Sequence, residues 1–221
     1  MQIRTIAGPL LGLASLCSAA PALAQKKGDV LVRVRAIMVA PNESTSGVRP
    51  SFPGARIGVT DSYAPELDFT YMISDHIGAE LILATTKHNL QGRGTLSALD
   101  RVASTWVLPP TLTLQYHFAP QAKVRPYIGA GVNYSIFYSS KADRALNSAI
   151  GNTDVHLKDS FGYALQAGLD VDITKKVFAN IDVKYIDIDT RARLRTTAAG
   201  TQRVAISLDP LVFGVGLGIR L

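Results

Sequence analysis

Residues 30–39 read Val-Leu-Val-Arg-Val-Arg-Ala-Ile-Met-Val, with Val30, Val32, Val34, Ala36 and Met38 on one side and Leu31, Arg33, Arg35, Ile37 and Val39 on the other. A period of two marks a β-strand, whose successive side chains point to opposite faces. The same alternation returns in 66–72, 77–85, 111–118, 126–137, 161–171, 179–185 and 213–221, making eight runs. In each, one face is apolar or aromatic, as with Leu67, Phe69 and Tyr71. The other mixes glycine with polar and charged groups, as with Glu66, Asp68 and Thr70. Short turns at 74–76, 119–124 and 174–176 alternate with long polar connectors at 41–64, 89–105, 141–158 and 190–206. The pattern predicts antiparallel strands joined by hairpin turns, and no helix.

One stretch imitates a membrane helix. Between Arg101 and Lys123 no residue carries a formal charge, over a length that could cross a bilayer. Pro109-Pro110 stands in its middle, however, and Thr-Leu-Thr-Leu-Gln-Tyr follows at period two. Prolines would leave helix carbonyls unpaired where no water could replace the lost bonds. This segment is expected to be a loop end followed by a strand.

The alternation alone fits a soluble sandwich or a membrane barrel, and the polar face decides between them. Arg33, Arg35, Asp68, Glu80, Asp182, Lys184 and Gln166 share that face with many glycines, too polar a set for a soluble core. A membrane barrel reverses the faces, with apolar side chains toward lipid and polar ones toward the lumen. An even number of strands, short turns at one end and long loops at the other fit the same reading. The expected fold is therefore all-β, an eight-stranded antiparallel up-and-down transmembrane β-barrel with short periplasmic turns and long extracellular loops. Eight strands leave a narrow interior, and Gly129, Gly131, Gly162, Gly168, Gly214, Gly216 and Gly218 are expected to make room there for larger lumenal neighbours.

Composition agrees. Of 221 residues 47% are hydrophobic and only 18% charged, below the roughly 25% usual in soluble domains. Residues 1–24 read as a cleaved secretory signal: Arg4, an apolar stretch at 6–16, then Ala22-Leu23-Ala24. The single barrel domain would then span 25–221. Cys17 falls in the signal, so the exported chain is expected to hold together without disulfides and to offer no thiolate. The net charge of +6 has no clustered arm, and an exported chain is not expected to meet nucleic acid. Arg191, Arg193 and Arg195 alternate near a loop, where they would either meet anionic headgroups or form a solvated face.

Reaction chemistry is not evident. His76, His88 and His156 fall in turns or connectors and read as solvated loop residues rather than as metal ligands. His117 and Ser135 point inward, but no Gly-x-Ser-x-Gly elbow accompanies them. Gly214-x-Gly216-x-Gly218 lacks the strand-to-helix setting of a dinucleotide loop. No enzymatic activity, cofactor or metal is expected.

Four segments carry a resemblance to a known family: Leu67-Asp68-Phe69-Thr70-Tyr71-Met72, Leu108-Pro109-Pro110-Thr111-Leu112, Arg125-Pro126-Tyr127-Ile128-Gly129-Ala130-Gly131-Val132-Asn133-Tyr134 and Tyr185-Ile186-Asp187-Ile188-Asp189-Thr190. In this order they resemble the OmpW family of outer-membrane proteins across essentially the whole exported chain. The resemblance implies a monomeric barrel in the outer membrane of a Gram-negative bacterium, installed there by the barrel-assembly machinery. It also implies a narrow, largely apolar lumen that passes small hydrophobic compounds, with a lateral exit into the membrane. Two features depart from the family pattern. The chain ends in Leu221 rather than an aromatic residue, and Lys184 stands where a bulky apolar group is expected, although Ile82 fits.

Two functions follow. In the first, Ile37, Val39, Ile82, Ala84, Ile186 and Ile188 line a lumenal path for small apolar molecules. In the second, Arg33, Arg35, Asp68, Glu80, Asp182 and Lys184 neutralise one another and close the bore of a structural, adhesive or receptor barrel. The charged positions crowd the periplasmic half and middle, and the apolar ones gather toward the long-loop end. Lys184 is expected to pair with Glu80 or Asp68, because a lone buried ammonium is costly. A water-filled lumen would instead leave it hydrated.

Overall fold

The computed structural model describes residues 25–221, and the expected signal over 1–24, with Cys17, lies outside the described residues. Strands form in chain order as β1 (Val30–Ala40), β2 (Ser44–Thr45), β3 (Ala55–Val59), β4 (Ser62–Met72), β5 (Ile77–Ala84), β6 (Thr86–Gly94), β7 (Arg101–Leu108) and β8 (Thr111–His117). They continue as β9 (Val124–Ala142), helix α1 (Arg144–Ile150), β10 (Thr153–Leu157), β11 (Ser160–Asp172), β12 (Val177–Ile186), β13 (Asp189–Thr196), β14 (Gly200–Ser207) and β15 (Leu211–Arg220).

Eight of these make the barrel, in the order β11-β12-β15-β1-β4-β5-β8-β9, and β9 returns to pair with β11. Every neighbour is antiparallel. Closure removes the edge that lipid could not satisfy, where each unpaired backbone group would cost several kcal/mol. The seam between first and last strands is stitched by Val30 and Leu221, whose amides donate to one another's carbonyls at 3.3 and 2.9 Å.

The two faces separate as the alternation requires. Leu114, Val132, Leu165, Val183 and Leu217 are open to the surroundings, while Arg33 and Arg35 are 0% and 1% exposed. Glycine space serves two different ends. A Cβ at Gly168 would strike the Tyr127 ring, and one at Gly218 the Phe178 ring, so those glycines do make room for lumenal side chains. Gly131, Gly162 and Gly216 correct the expectation, because what crowds them is backbone: the carbonyls of Leu112, Asp187 and Val34.

The long polar connectors carry strands of their own. The outer part of β9 leaves β11 and continues a sheet β9-β7-β6-β3, while β10, β13, β14 and β2 form a second sheet. Residues 101–108, expected to be a loop end, are the strand β7. Both sheets turn inward faces on a shared apolar core that includes Val59, Leu90, Val107, Leu157, Val204 and Ile206. These strands are short, and their outer faces are largely polar, with a charged run on β13, which lowers their average hydropathy without disturbing the period of two.

A helix also forms where none was expected. The Asp143 side chain caps α1 by accepting from the Ala145 amide at 3.3 Å, and Gly151, at φ 81°, ends it. Arg101 holds the other oxygen of Asp143 at 2.7 Å. Together these keep the carboxyl below its ordinary range, the Arg101 bond being the larger cause.

Candidate functional site

Alternation fixes which residues look inward, and barrel position fixes what they meet. Ile37 and Val39 come from the outer end of β1, Ile82 and Ala84 from that of β5, and Ile186 and Ile188 from the end of β12 and just beyond it. All six line one cavity, together with Val59, Val107, Phe137, Leu157, Ile206 and Leu208 from the extracellular sheets and the loop after β14. Its free volume is about 60 Å³. The wall is almost wholly apolar, with the Lys184 and Glu66 side chains reaching into its lining.

His88 is part of this wall and corrects a sequence expectation. It is buried in β6 rather than solvated in a loop. Its Nδ1 lies 2.9 Å from the Thr60 carbonyl, which can only accept, so Nδ1 carries the proton. Nε2 then accepts from the Thr86 hydroxyl at 3.0 Å. Burial pushes the imidazole below its ordinary range, and it presents a neutral, fully occupied ring to the cavity.

Below the cavity the expected charges meet in one network. Arg33 reaches Asp68 at 3.0 Å, Asp170 at 2.9 Å and Glu80 at 3.6 Å. Arg35 reaches Asp68 at 2.7 Å, Glu66 at 2.8 Å and Asp182 at 3.1 Å. Neutral donors complete the acids: Thr113 Oγ1 and Gln166 Nε2 donate to Glu80 at 3.0 and 2.6 Å, and Asn180 Nδ2 donates to Asp170 at 2.8 Å. Arg33, Arg35, Asp68, Glu80, Asp182 and Lys184 are thus brought together. Glu66 and Asp170 belong with them but were not singled out in the sequence, although each shares the inward parity of its strand.

Lys184 is paired, but not as expected. Its ammonium donates to Glu66 at 2.8 Å and to Asp182 at 2.9 Å, and neither Glu80 nor Asp68 is its partner. Strand register is the reason. β1 and β4 set Arg35 opposite Glu66 and Arg33 opposite Asp68, so Glu66 lies one step nearer the cavity, at the level that Lys184 reaches. Period-two reading gives the face of a residue but not its height in the barrel.

The periplasmic half is filled. The Arg33 guanidinium lies 5.4 Å from the centres of both the Tyr127 and Phe178 rings, and Arg125 lies 5.6 Å from Phe178. Arg125 pairs with Asp172 at 2.6 Å, while Leu31, Met72 and Phe178 form a small, fully buried apolar cluster. The barrel is therefore an apolar cavity above a floor of ion pairs, above an aromatic and aliphatic base. His117 is buried there against Tyr127, with Nε2 3.0 Å from Gln115 Oε1. Ser135 donates to Asn133 at 2.7 Å rather than to a histidine. Among the described residues no cluster of three His, Cys, Asp or Glu could hold a metal ion.

Three comparisons place this geometry among known proteins. Residues 26–221 match the OmpW family. Outer membrane protein W of Escherichia coli strain K12 is 37% identical over 201 residues, covering 90% of this chain and 91% of its own. The dibenzothiophene metabolism operon protein PahQ of Pseudomonas aeruginosa is 31% identical, over 75% of each chain. The crystal structure of the outer membrane protein OprG from Pseudomonas aeruginosa superposes with a TM-score of 0.85 at 29% identity, covering 90% of this chain and 98% of that one.

Proposed function

From a chain that belongs to the OmpW family, as an outer-membrane β-barrel, we propose a passive conduit for small hydrophobic molecules. They enter the apolar cavity from the extracellular side and leave sideways into the membrane. The observation that carries this reading is the contrast between the wall and the floor. Ile37, Val39, Ile82, Ala84, Ile186 and Ile188 offer a desolvated apolar surface, which draws an apolar solute out of water at about 25 cal/mol per Å² buried. The ion-paired floor beneath repels the same solute, because an apolar molecule could pass only by separating buried charges.

A sideways exit follows from that floor. Pro41, Pro109 and Pro210 all line the cavity, and proline has no N–H with which to complete a strand ladder. Each of these positions removes one donor from the wall at cavity height. The relative whose name refers to dibenzothiophene metabolism supports an apolar aromatic permeant. Outer-membrane lipids, hydrophobic solutes and, during biogenesis, the barrel-assembly machinery are the partners this reading assigns, and the barrel acts as a monomer without catalysis or cofactor.

Uptake into liposomes of graded alkyl and aromatic compounds, with glucose as the polar control, tests the reading. The apolar series should enter faster with protein present and glucose should not. Ile186→Arg, which sets a charge in the cavity wall, should slow the apolar series while the barrel stays folded. Faster glucose entry with no effect on the apolar series would overturn the proposal.

The closed floor also favours a second reading, a plugged structural, adhesive or receptor barrel. That function requires no solute to cross, so a folded barrel that accelerates none of the compounds would select it.

A further inference from the structure

The outward face of the β10-β13-β14-β2 sheet carries a run of basic side chains with no role in the cavity. His156 lies directly opposite Arg193, Arg193 directly opposite Arg203, and Arg203 bridges to Arg49. One row across the sheet therefore reads His156, Arg193, Arg203, Arg49. The row below sets Lys158 beside Arg191, the Lys158 amide donating to the Arg191 carbonyl at 3.1 Å. All six are exposed and line one shallow surface depression.

This arrangement costs the folded protein energy. Residues directly opposite in an antiparallel pair have Cβ atoms about 5 Å apart, and like charges there are destabilising. That spacing is inside the Debye length of about 8 Å at physiological ionic strength, so salt does not remove the repulsion. Among the described residues none of Arg49, Lys158, Arg191, Arg193 and Arg203 is ion-paired with a carboxylate. Asp154, opposite Arg195 one step further out, is the acid that the same face offers on β10.

Height selects the partner. The Asp189 amide donates to the Ser160 hydroxyl at 2.9 Å, placing Asp189 level with Ser160. Next to Ser160, Phe161 is 71% exposed, with Tyr134 directly opposite it and Tyr163 nearby, all open to the outside, and the half-buried Tyr185 against Tyr163. Such an aromatic belt marks the boundary between acyl chains and headgroups. Arg191 and Lys158 stand two residues above it, or about 7 Å at the rise of an extended strand. The row of His156, Arg193, Arg203 and Arg49 stands about 7 Å higher still.

We propose that this face is a docking site for phosphate-bearing glycolipid headgroups of the outer leaflet. The Lys158–Arg191 and Arg193–Arg203–Arg49 rows hold phosphates between neighbouring cationic groups, the guanidinium groups suiting bidentate recognition of phosphate oxygens and the Lys158 ammonium adding a point charge. A bound phosphate converts the repulsive row into a neutralised one, so the bound glycolipid stabilises the extracellular sheet.

Binding of diphosphoryl lipid A to the detergent-purified full barrel tests this, with dephosphorylated lipid A and sucrose octasulfate as further probes. The wild-type protein should bind diphosphoryl lipid A, and salt should weaken the binding. Arg193→Gln with Arg203→Gln should weaken it at least tenfold, and removing the phosphates should weaken it as much. Lys158→Gln should give a smaller loss, and Asp154→Asn a gain. Heat-modifiable migration on gels reports that each variant is folded. Equal binding by the wild type and the double variant, or by phosphorylated and dephosphorylated lipid, would overturn the site. Sucrose octasulfate binding as tightly as lipid A would overturn the lipid partner in favour of a soluble polyanion.

Discussion

Lys184 illustrates what one residue contributes. It is 2% exposed and bonded to two carboxylates, so removing its charge leaves Glu66 and Asp182 short of a partner. Lys184→Met should therefore destabilise the barrel by about 3–5 kcal/mol, the usual cost of stranding one half of a buried pair. Adding Glu66→Gln should recover part of that loss, whereas adding Glu80→Gln should not. Urea unfolding of the two double-mutant cycles, six proteins sharing the wild type and Lys184→Met, measures both couplings in lipid or detergent, and a larger coupling to Glu80 would contradict the geometry. That Lys184 needed a carboxylate was legible in the sequence, because an inward ammonium in a narrow lumen has few alternatives. Which carboxylate it takes depends on the register of β1 with β4 and of β12 with its neighbours, and no local pattern encodes that.

At the scale of the element, the strands divide into those in lipid and those above it. In β8, Leu114 is 55% exposed and Thr113 is 3% exposed, its hydroxyl on Glu80. Leu114→Arg should cost about 2–4 kcal/mol near the bilayer middle, while Thr113→Ser keeps the hydroxyl and should cost little. If both unfold at the same denaturant concentration, the faces are wrongly assigned. The membrane strands were readable because lipid demands one continuous apolar face. The extracellular strands were not, because their apolar faces cover only a few residues, as with Val155 and Leu157 or Val204 and Ile206, and the opposite faces mix polar, charged and small residues. Helix α1 was hidden for a related reason: seven residues with a single buried side chain, Leu146, leave no period to detect. Its stability rests on its ends, so Asp143→Ala should speed amide hydrogen exchange over 144–150. The Asp143 carboxyl is held below its ordinary range. Its contribution is therefore complete above the usual aspartate pKa and fades as pH falls through the lowered value. Acidification should reproduce the effect of the mutation.

For the whole molecule, closure is the defining property. Every barrel strand has two neighbours, so detergent has no edge to open. Unboiled protein should migrate differently from boiled protein and give a strand-dominated circular dichroism spectrum, and a helical spectrum in detergent would reject the architecture. The cavity lies partly within the lipid-embedded barrel and partly within the extracellular sheets. β9 supplies both, pairing with β8 and β11 in its first part and with β7 beyond Ser135. A single strand thus fixes the outer wall of the cavity to the membrane barrel, and under the proposed conduit solutes would exchange away from it. The general layout, an apolar upper lumen over a charged middle, was visible in the order of inward residues. The density of the base was not, since Tyr127 and Phe178 reveal their partners only once opposite strands face each other.

The ion-pair floor also bears on how the chain assembles. Arg33 bonds to Asp170 across 137 residues of sequence, and Lys184 to Glu66 across 118. Local hairpins can form early, but these bonds exist only when the first and last thirds of the chain meet across the lumen. An open sheet in the bilayer would keep Arg33 beside Asp68 and Arg35 beside Glu66, which lie on paired strands, but would leave Asp170 without Arg33 and Lys184 without Glu66. Such intermediates are therefore unfavourable in lipid, and contacts of this sequence separation make folding slow. Closing the ring and neutralising its interior become one event, so this chain is expected to enter the membrane in an all-or-none step, with partly inserted forms short-lived.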